Sequence, residues 1–210
     1  MASDLLSLAD ASELLGVTSE RVRQLVVAGD LPGVRFGNAW AVPSDAVAAR
    51  GRASNRRGRP LSAIRAWEAI GAGDIELSNA SRYRNRAELR RFSVRPRDLD
   101  YVIQQQDSLQ SGGSAAVAYG EPLMSPPGQA DIYAPNRVMD ELSDVIALVP
   151  DPFGAVIIRV VPNDLWGKVA ELALDSDDGR FAPAAAVALD LMESADPRFW
   201  IAADELVLRA

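Results

Sequence analysis

The side chains most suited to chemistry lie between residues 18 and 40. On a helical wheel from Thr18, the apolar stripe Val22, Leu25 and Val26 leaves Glu20 and Gln24 on the opposite face, with Arg21 and Arg23 on its flanks and Ser19 in the first turn. These groups suit base edges in a major groove. Gln pairs bidentately with adenine, Arg pairs with guanine or phosphate, and Glu accepts from the cytosine amino group. Arg35 and Asn38 follow in a short hairpin, where Arg35 is placed to grip a sugar–phosphate backbone. Further on, Arg57-Gly58-Arg59-Pro60, preceded by Arg56, reproduces the core of a minor-groove hook, and reads equally well as a basic linker leading into the next helix.

Other chemistries are narrowed by composition. With no Cys, no His and Lys168 as the single lysine, thiolate and imidazole sites are excluded, and catalysis would rest on carboxylates. Gly112-Gly113-Ser114 followed by Asp131-Ile132-Tyr133 echoes the Gly-Ser turn and paired acids of nucleotidyltransferases, which hold two metals across a phosphoryl transfer. Tyr133 stands where the second acid belongs, and Arg159 where a third would help. The expectation is therefore a protein that is not an enzyme, with no metal and no cofactor. Asp175, Asp177 and Asp178 near Gly179 lack the ligand spacing of a calcium loop and read as a solvated turn.

The elements that must position these groups can be read from caps and periodicity. Ser7, with Asp10 three residues on, starts a helix that stops at Gly16; Thr18 starts the next, expected to close at Gly29. Val34 to Val42 around Gly37-Asn38 reads as a hairpin, and Ser44 caps a third helix. Ser62 caps a helix carrying Ile64, Trp67 and Ile70, and Ser78 or Ser81 is expected to cap an Arg-rich helix running through Leu89, with Arg82, Arg86 and Arg90 as one basic ridge. Beyond residue 98, helices are expected near 98–106, 114–119, 137–146, 183–194 and 198–208, and strands near 108–111, 131–134 and 155–161. The predicted fold class is α+β: a helix-turn-helix with a wing over residues 1–52, a basic linker over 53–61, and a mixed α/β domain over 62–210.

The net charge of −7 is unevenly spread. Residues 51–97 hold 12 Arg against 4 acids, whereas residues 98–210 hold 6 basic against 19 acidic residues. A basic segment beside the polar helix fits phosphate neutralisation, with the acidic remainder turned away; pairing of the basic segment with those acids is the competing reading. No signal peptide or apolar run of membrane-spanning length is evident, so a cytoplasmic location without membrane contact is expected.

Leu8 to Thr18, Val22-Arg23, Gly29-Asp30-Leu31-Pro32, Val34-Arg35 and Trp40-Ala41-Val42-Pro43 together resemble the winged helix-turn-helix of excisionase and MerR-type proteins. Ala41 departs from the Arg common there. Residues 112–120, 131–133, 156–162 and 182–198 resemble the C-terminal domain of AbiEi-type antitoxins. The resemblance implies double-stranded operator DNA, arranged as inverted repeats, as partner, and a nucleotidyltransferase toxin encoded in the same operon. Homodimers would supply the second half-site. Two alternatives stay open: a degenerate nucleotidyltransferase-like protein tethered to DNA, and a regulator whose C-terminal domain senses a ligand or mediates assembly.

Overall fold

A computed structural model describes residues 5–27, 31–37, 39–54, 59–123, 128–194 and 197–209. The chain is a mixed α/β protein, and none of its described helices is long and apolar enough to cross a membrane.

The described residues up to Ser54 build a small unit. Strand β1 (Leu5–Ser7) leads into α1 (Leu8–Leu15), where Ser7 Oγ accepts from the Asp10 amide at 3.2 Å and Asp10 returns a carboxylate oxygen to the Ser7 amide at 3.3 Å. Gly16 ends α1 in the left-handed region at φ 64°, which a side chain would resist. Helix α2 (Ser19–Val27) follows, its Arg21 amide donating to Thr18 Oγ1 at 3.2 Å. Strands β2 (Val34–Phe36) and β3 (Ala39–Pro43) form an antiparallel hairpin, β1 joins on the other side of β3, and α3 (Ser44–Ser54) completes the unit. Ala11, Val22, Leu25, Val26, Leu31, Val42 and Val47 form its own core. Helix α3 runs to Ser54, and residues 55–58 of the expected linker, like Gly29, lie outside the described residues.

The rest is organised around a seven-stranded sheet. Its strands are β4 (Glu88–Ser93), β5 (Leu109–Gln110), β6 (Ala130–Pro135), β7 (Val149–Pro150), β8 (Val156–Val161), β9 (Leu174–Ser176) and β10 (Gly179–Phe181), in the order β7-β4-β8-β6-β5-β10-β9. β6 runs parallel to β8 and β5 to β10, the other pairs being antiparallel. Alternation along β6 and β8 decides the layers. Ala130, Ile132, Ala134, Val156, Ile158 and Val160 face α5 (Leu99–Ile103) and α7 (Asn136–Val145) through one apolar cluster. The opposite face carries Tyr133 and Val161 into a larger core shared with α4 (Ala63–Gly71), α6 (Gly112–Ala118), α8 (Asn163–Glu171), α9 (Ala184–Leu191) and α10 (Pro197–Arg209).

Two expectations are corrected here, the Arg-rich helix and its basic ridge. The Arg-rich segment is not one helix through Leu89: it is a 3-10 helix, Leu77–Arg86, interrupted at Asn79 by non-helical backbone, followed by β4. Arg82, Arg86 and Arg90 therefore share no ridge. Arg86 is buried and Arg90 sits on a strand beside Glu88 at 2.9 Å. Helix α8 was not expected, because Gly167 interrupts its short stripe of Leu165, Trp166 and Val169. The acidic turn at Asp177-Asp178 joins β9 and β10 as an exposed hairpin.

Candidate nucleic-acid interface

Helix α2 buries Val22 (0% exposed), Leu25 and Val26 against α1, β3 and α3, and this fixes what its other face presents. Ser19, Glu20, Arg21, Arg23 and Gln24 are all exposed on it. They are not independent groups. Arg23 forks onto Glu20, with Nε–Oε2 and Nη2–Oε1 distances both 2.8 Å. Arg21 Nη1 donates to Gln24 Oε1 at 3.3 Å, and Ser19 Oγ donates to Ser12 Oγ at 3.2 Å across the turn between the helices. The hydrogen bond from Arg23 holds the Glu20 carboxyl below the usual range and raises Arg23 in turn. In the free protein the face is thus internally satisfied, and solvent-screened pairs of this kind open readily for another partner.

On the hairpin, Arg35 stands directly across from Trp40. Its guanidinium lies 6.0 Å from the Trp40 ring centroid, and its Nε donates to the Gly37 carbonyl at 2.9 Å, so an exposed cation is held at the hairpin tip. Asn38, Arg56 and Arg57 lie outside the described residues, while Arg59 is described and exposed.

A second assembly of charge lies under the sheet. Asp131 and Tyr133 on β6 and Arg159 on β8 share a face by strand alternation, with Arg159 in register with Tyr133. Arg159 holds Asp131 bidentately at 3.0 and 3.1 Å and reaches Glu193 Oε2 at 2.7 Å. Arg86, at the end of the 3-10 helix, donates to Tyr133 Oη at 2.8 Å and Glu193 Oε1 at 2.7 Å, and pairs with Asp190. Tyr133 Oη in turn donates to Asp190 at 2.8 Å, and Ser111 Oγ donates to the same carboxylate. Trp67 packs edge-on against the Tyr133 ring at 5.3 Å. Gly112, at φ 61°, approaches so closely that a Cβ there would meet Asp131 Oδ2 at 3.1 Å.

The electrostatics follow from burial against pairing. Burial disfavours the charge of Glu193, but the Arg159 and Arg86 guanidiniums prevail and hold its carboxyl down to about 2. Burial pushes Asp131 up; Arg159 opposes the rise and the Asp190 charge adds to it. Both guanidiniums stay protonated well above their usual range: burial works against them, and the surrounding carboxylates and Tyr133 outweigh it. Arg159 takes the place beside Asp131 that a cation would fill. Among the described residues no group of three or more acids is set to hold a metal ion. Asp190 and Glu193 were not singled out from the sequence, and Arg86 only as part of an exposed basic ridge, although one signal was present: Asp190 is the only polar residue in Ala-Ala-Ala-Val-Ala-Leu-Asp-Leu of α9.

Two shallow grooves flank the Gly71–Leu172 contact, of about 230 and 320 Å³. Neither is lined by a residue of the ionic cluster; the charged groups lining the smaller are Glu68, Lys168 and Glu171. Compared with known proteins, the chain matches no family model, no curated protein and no solved structure.

Proposed function

We propose that the chain is a sequence-specific regulator of transcription that binds double-stranded DNA, with residues 5–54 acting as a winged helix-turn-helix. The observation that carries this reading is the exposed face of α2: five adjoining polar side chains above a fully buried stripe, beside a hairpin with Arg35 at its tip. Helix α2 enters the major groove, Arg35 grips backbone, and the Arg23–Glu20 pair opens as Arg23 turns to DNA. A single module of this size reaches useful affinity through a second half-site, so the protein binds inverted repeats as a dimer. By resemblance, the α/β part serves repression in an antitoxin whose partner is a nucleotidyltransferase toxin.

The test is fluorescence anisotropy of labelled duplexes from the region upstream of the chain's own reading frame, against scrambled duplexes. The expected result is preferential binding whose log affinity falls linearly with log salt. Equal affinity for both duplexes overturns sequence-specific reading. Co-purification with the product of the adjacent reading frame tests the antitoxin role.

A second reading is favoured by one observation. β5 runs antiparallel to β6 and β6 parallel to β8, which brings Ser111 and the first turn of α6 against Asp131, as a nucleotidyltransferase turn and acid would lie. With Tyr133 and Arg159 tied into the ionic cluster, this reading is of a relative without activity. Magnesium-dependent nucleotide transfer that disappears in Asp131→Ala would overturn it, and with it the view that the protein only binds.

A further inference from the structure

Of the described arginines between residues 59 and 97, most are neutralised at home. Arg65 pairs with Glu68 at 3.1 Å, Arg90 with Glu88 at 2.9 Å and Arg95 with Asp98 at 2.6 Å; Arg97 lies 3.8 Å from Asp98, and Arg86 is consumed by the buried cluster. Arg59, Arg82, Arg84 and Arg91 face no carboxylate within ion-pair distance among the described residues. Arg91 lies apart, on β4. The other three lie on adjoining segments. The Leu61 amide donates to the Arg82 carbonyl at 2.8 Å and Asn85 Nδ2 donates to the Leu61 carbonyl at 3.0 Å, so the segment holding Arg59 is stitched to the 3-10 helix that carries Arg82 and Arg84.

The chemistry of this place is that of an anion site. The 3-10 helix Leu77–Arg86 contains no acidic residue. Arg84 is exposed and is held only by a long 3.5 Å contact to the Ser81 carbonyl. Arg82 is half-buried, and its Nε, cut off from solvent, has no acceptor among the described residues. The same 3-10 helix packs against α3, the last element of the N-terminal unit, so the segment carrying Arg82 and Arg84 adjoins that unit.

We propose that Arg59, Arg82 and Arg84 form a second phosphate-binding patch, which takes the backbone of the same duplex that α2 reads and lengthens the footprint beyond the N-terminal unit. The inference rests on the DNA-binding reading above. It gives the protein a sequence-blind grip beside a sequence-reading one, a division of labour that suits an N-terminal unit holding 4 Arg against 6 acids in its first 50 residues.

The experiment uses the full chain, with affinity for an upstream duplex and for a scrambled one measured across a salt titration. In Arg59→Ala/Arg84→Ala, two exposed positions, the slope of log affinity against log salt falls by about two, and affinity drops equally for both duplexes. Arg82→Gln, which keeps much of the side chain's reach without its charge, lowers the slope by about one more. Arg65→Ala, removing an arginine already paired with Glu68, leaves the slope unchanged. A double variant that binds with the wild-type slope overturns the patch and leaves the role of α2 standing. Wild-type protein that binds no duplex at all overturns both.

Discussion

On α2, Arg23 and Glu20 meet at 2.8 Å with 49% and 58% of their side chains exposed, whereas under the sheet Arg86 and Asp190 meet with 4% and 0% exposed. The chemistry is the same and the consequence is opposite. An exposed pair can be exchanged for a phosphate or a base edge at little expense. A buried pair cannot be opened without stranding a charge in a medium that solvates it poorly. The contrast separates a surface whose ion pairs can be exchanged from a cluster that holds an architecture together, and each of the following substitutions tests where that line runs.

The largest effect is expected at the buried end. Asp190→Ala removes the carboxylate shared by Arg86, Tyr133 and Ser111, and should destabilise the fold by about 3–5 kcal/mol in chemical denaturation. A loss below about 1 kcal/mol would mean that the cluster is no more than a surface pair in hiding. Next comes Arg23→Ala, which should weaken operator binding and reduce the salt slope by about one while leaving the melting temperature unchanged. If melting falls and binding does not, the contrast is inverted.

Glu193 sits between the extremes, with 39% of its side chain exposed. Its carboxyl is held at about 2 when folded, against an ordinary 4.5, so its stabilisation is fully present above 4.5 and is lost as pH falls from there towards 2. Asp131, raised by burial, contributes in the opposite sense, since its protonation relieves a penalty. Melting temperatures of Glu193→Gln should therefore show a shallower decline than wild type on acidification through that window. A parallel decline would place the acid sensitivity elsewhere. The smallest change belongs to Glu20→Gln: with its anion gone, Arg23 is free, and affinity for scrambled duplexes should rise more than affinity for the operator. Equal rises would show that Glu20 takes no part in discrimination.

What the sequence made legible follows the range of the interactions involved. The box of Ser7 and Asp10, the left-handed Gly16, the Ser62 cap and the stripe of α2 are each decided within a few residues, and each is where periodicity and caps placed it. β8 was visible because five of its six residues are β-branched, and β6 as a short apolar run around Ile132 and Tyr133 that ends at Pro135. The stretch from Leu77 to Ser93 was not. Its arginines at i, i+4 and i+8 imitate a helical ridge, and β4 carries charge on both faces until Phe92. The partners that draw Arg86 inward lie 104 and 107 residues away, beyond any local pattern. For the same reason the exposed face of α2 was readable and the ionic cluster was not.

That separation in sequence also sets an order of events. As the chain leaves a ribosome, Arg86 is present 104 and 107 residues before Asp190 and Glu193, and Arg159 34 residues before Glu193. Until α9 and Glu193 have been made, the sheet's inner face carries two cations whose counter-charges are only partly in place. The N-terminal unit, whose core closes within Ala11 to Val47, needs nothing from those residues. A growing chain can thus present a finished α2 while the sheet still waits for its final helices, and the N-terminal unit closes its core before the rest of the protein is complete.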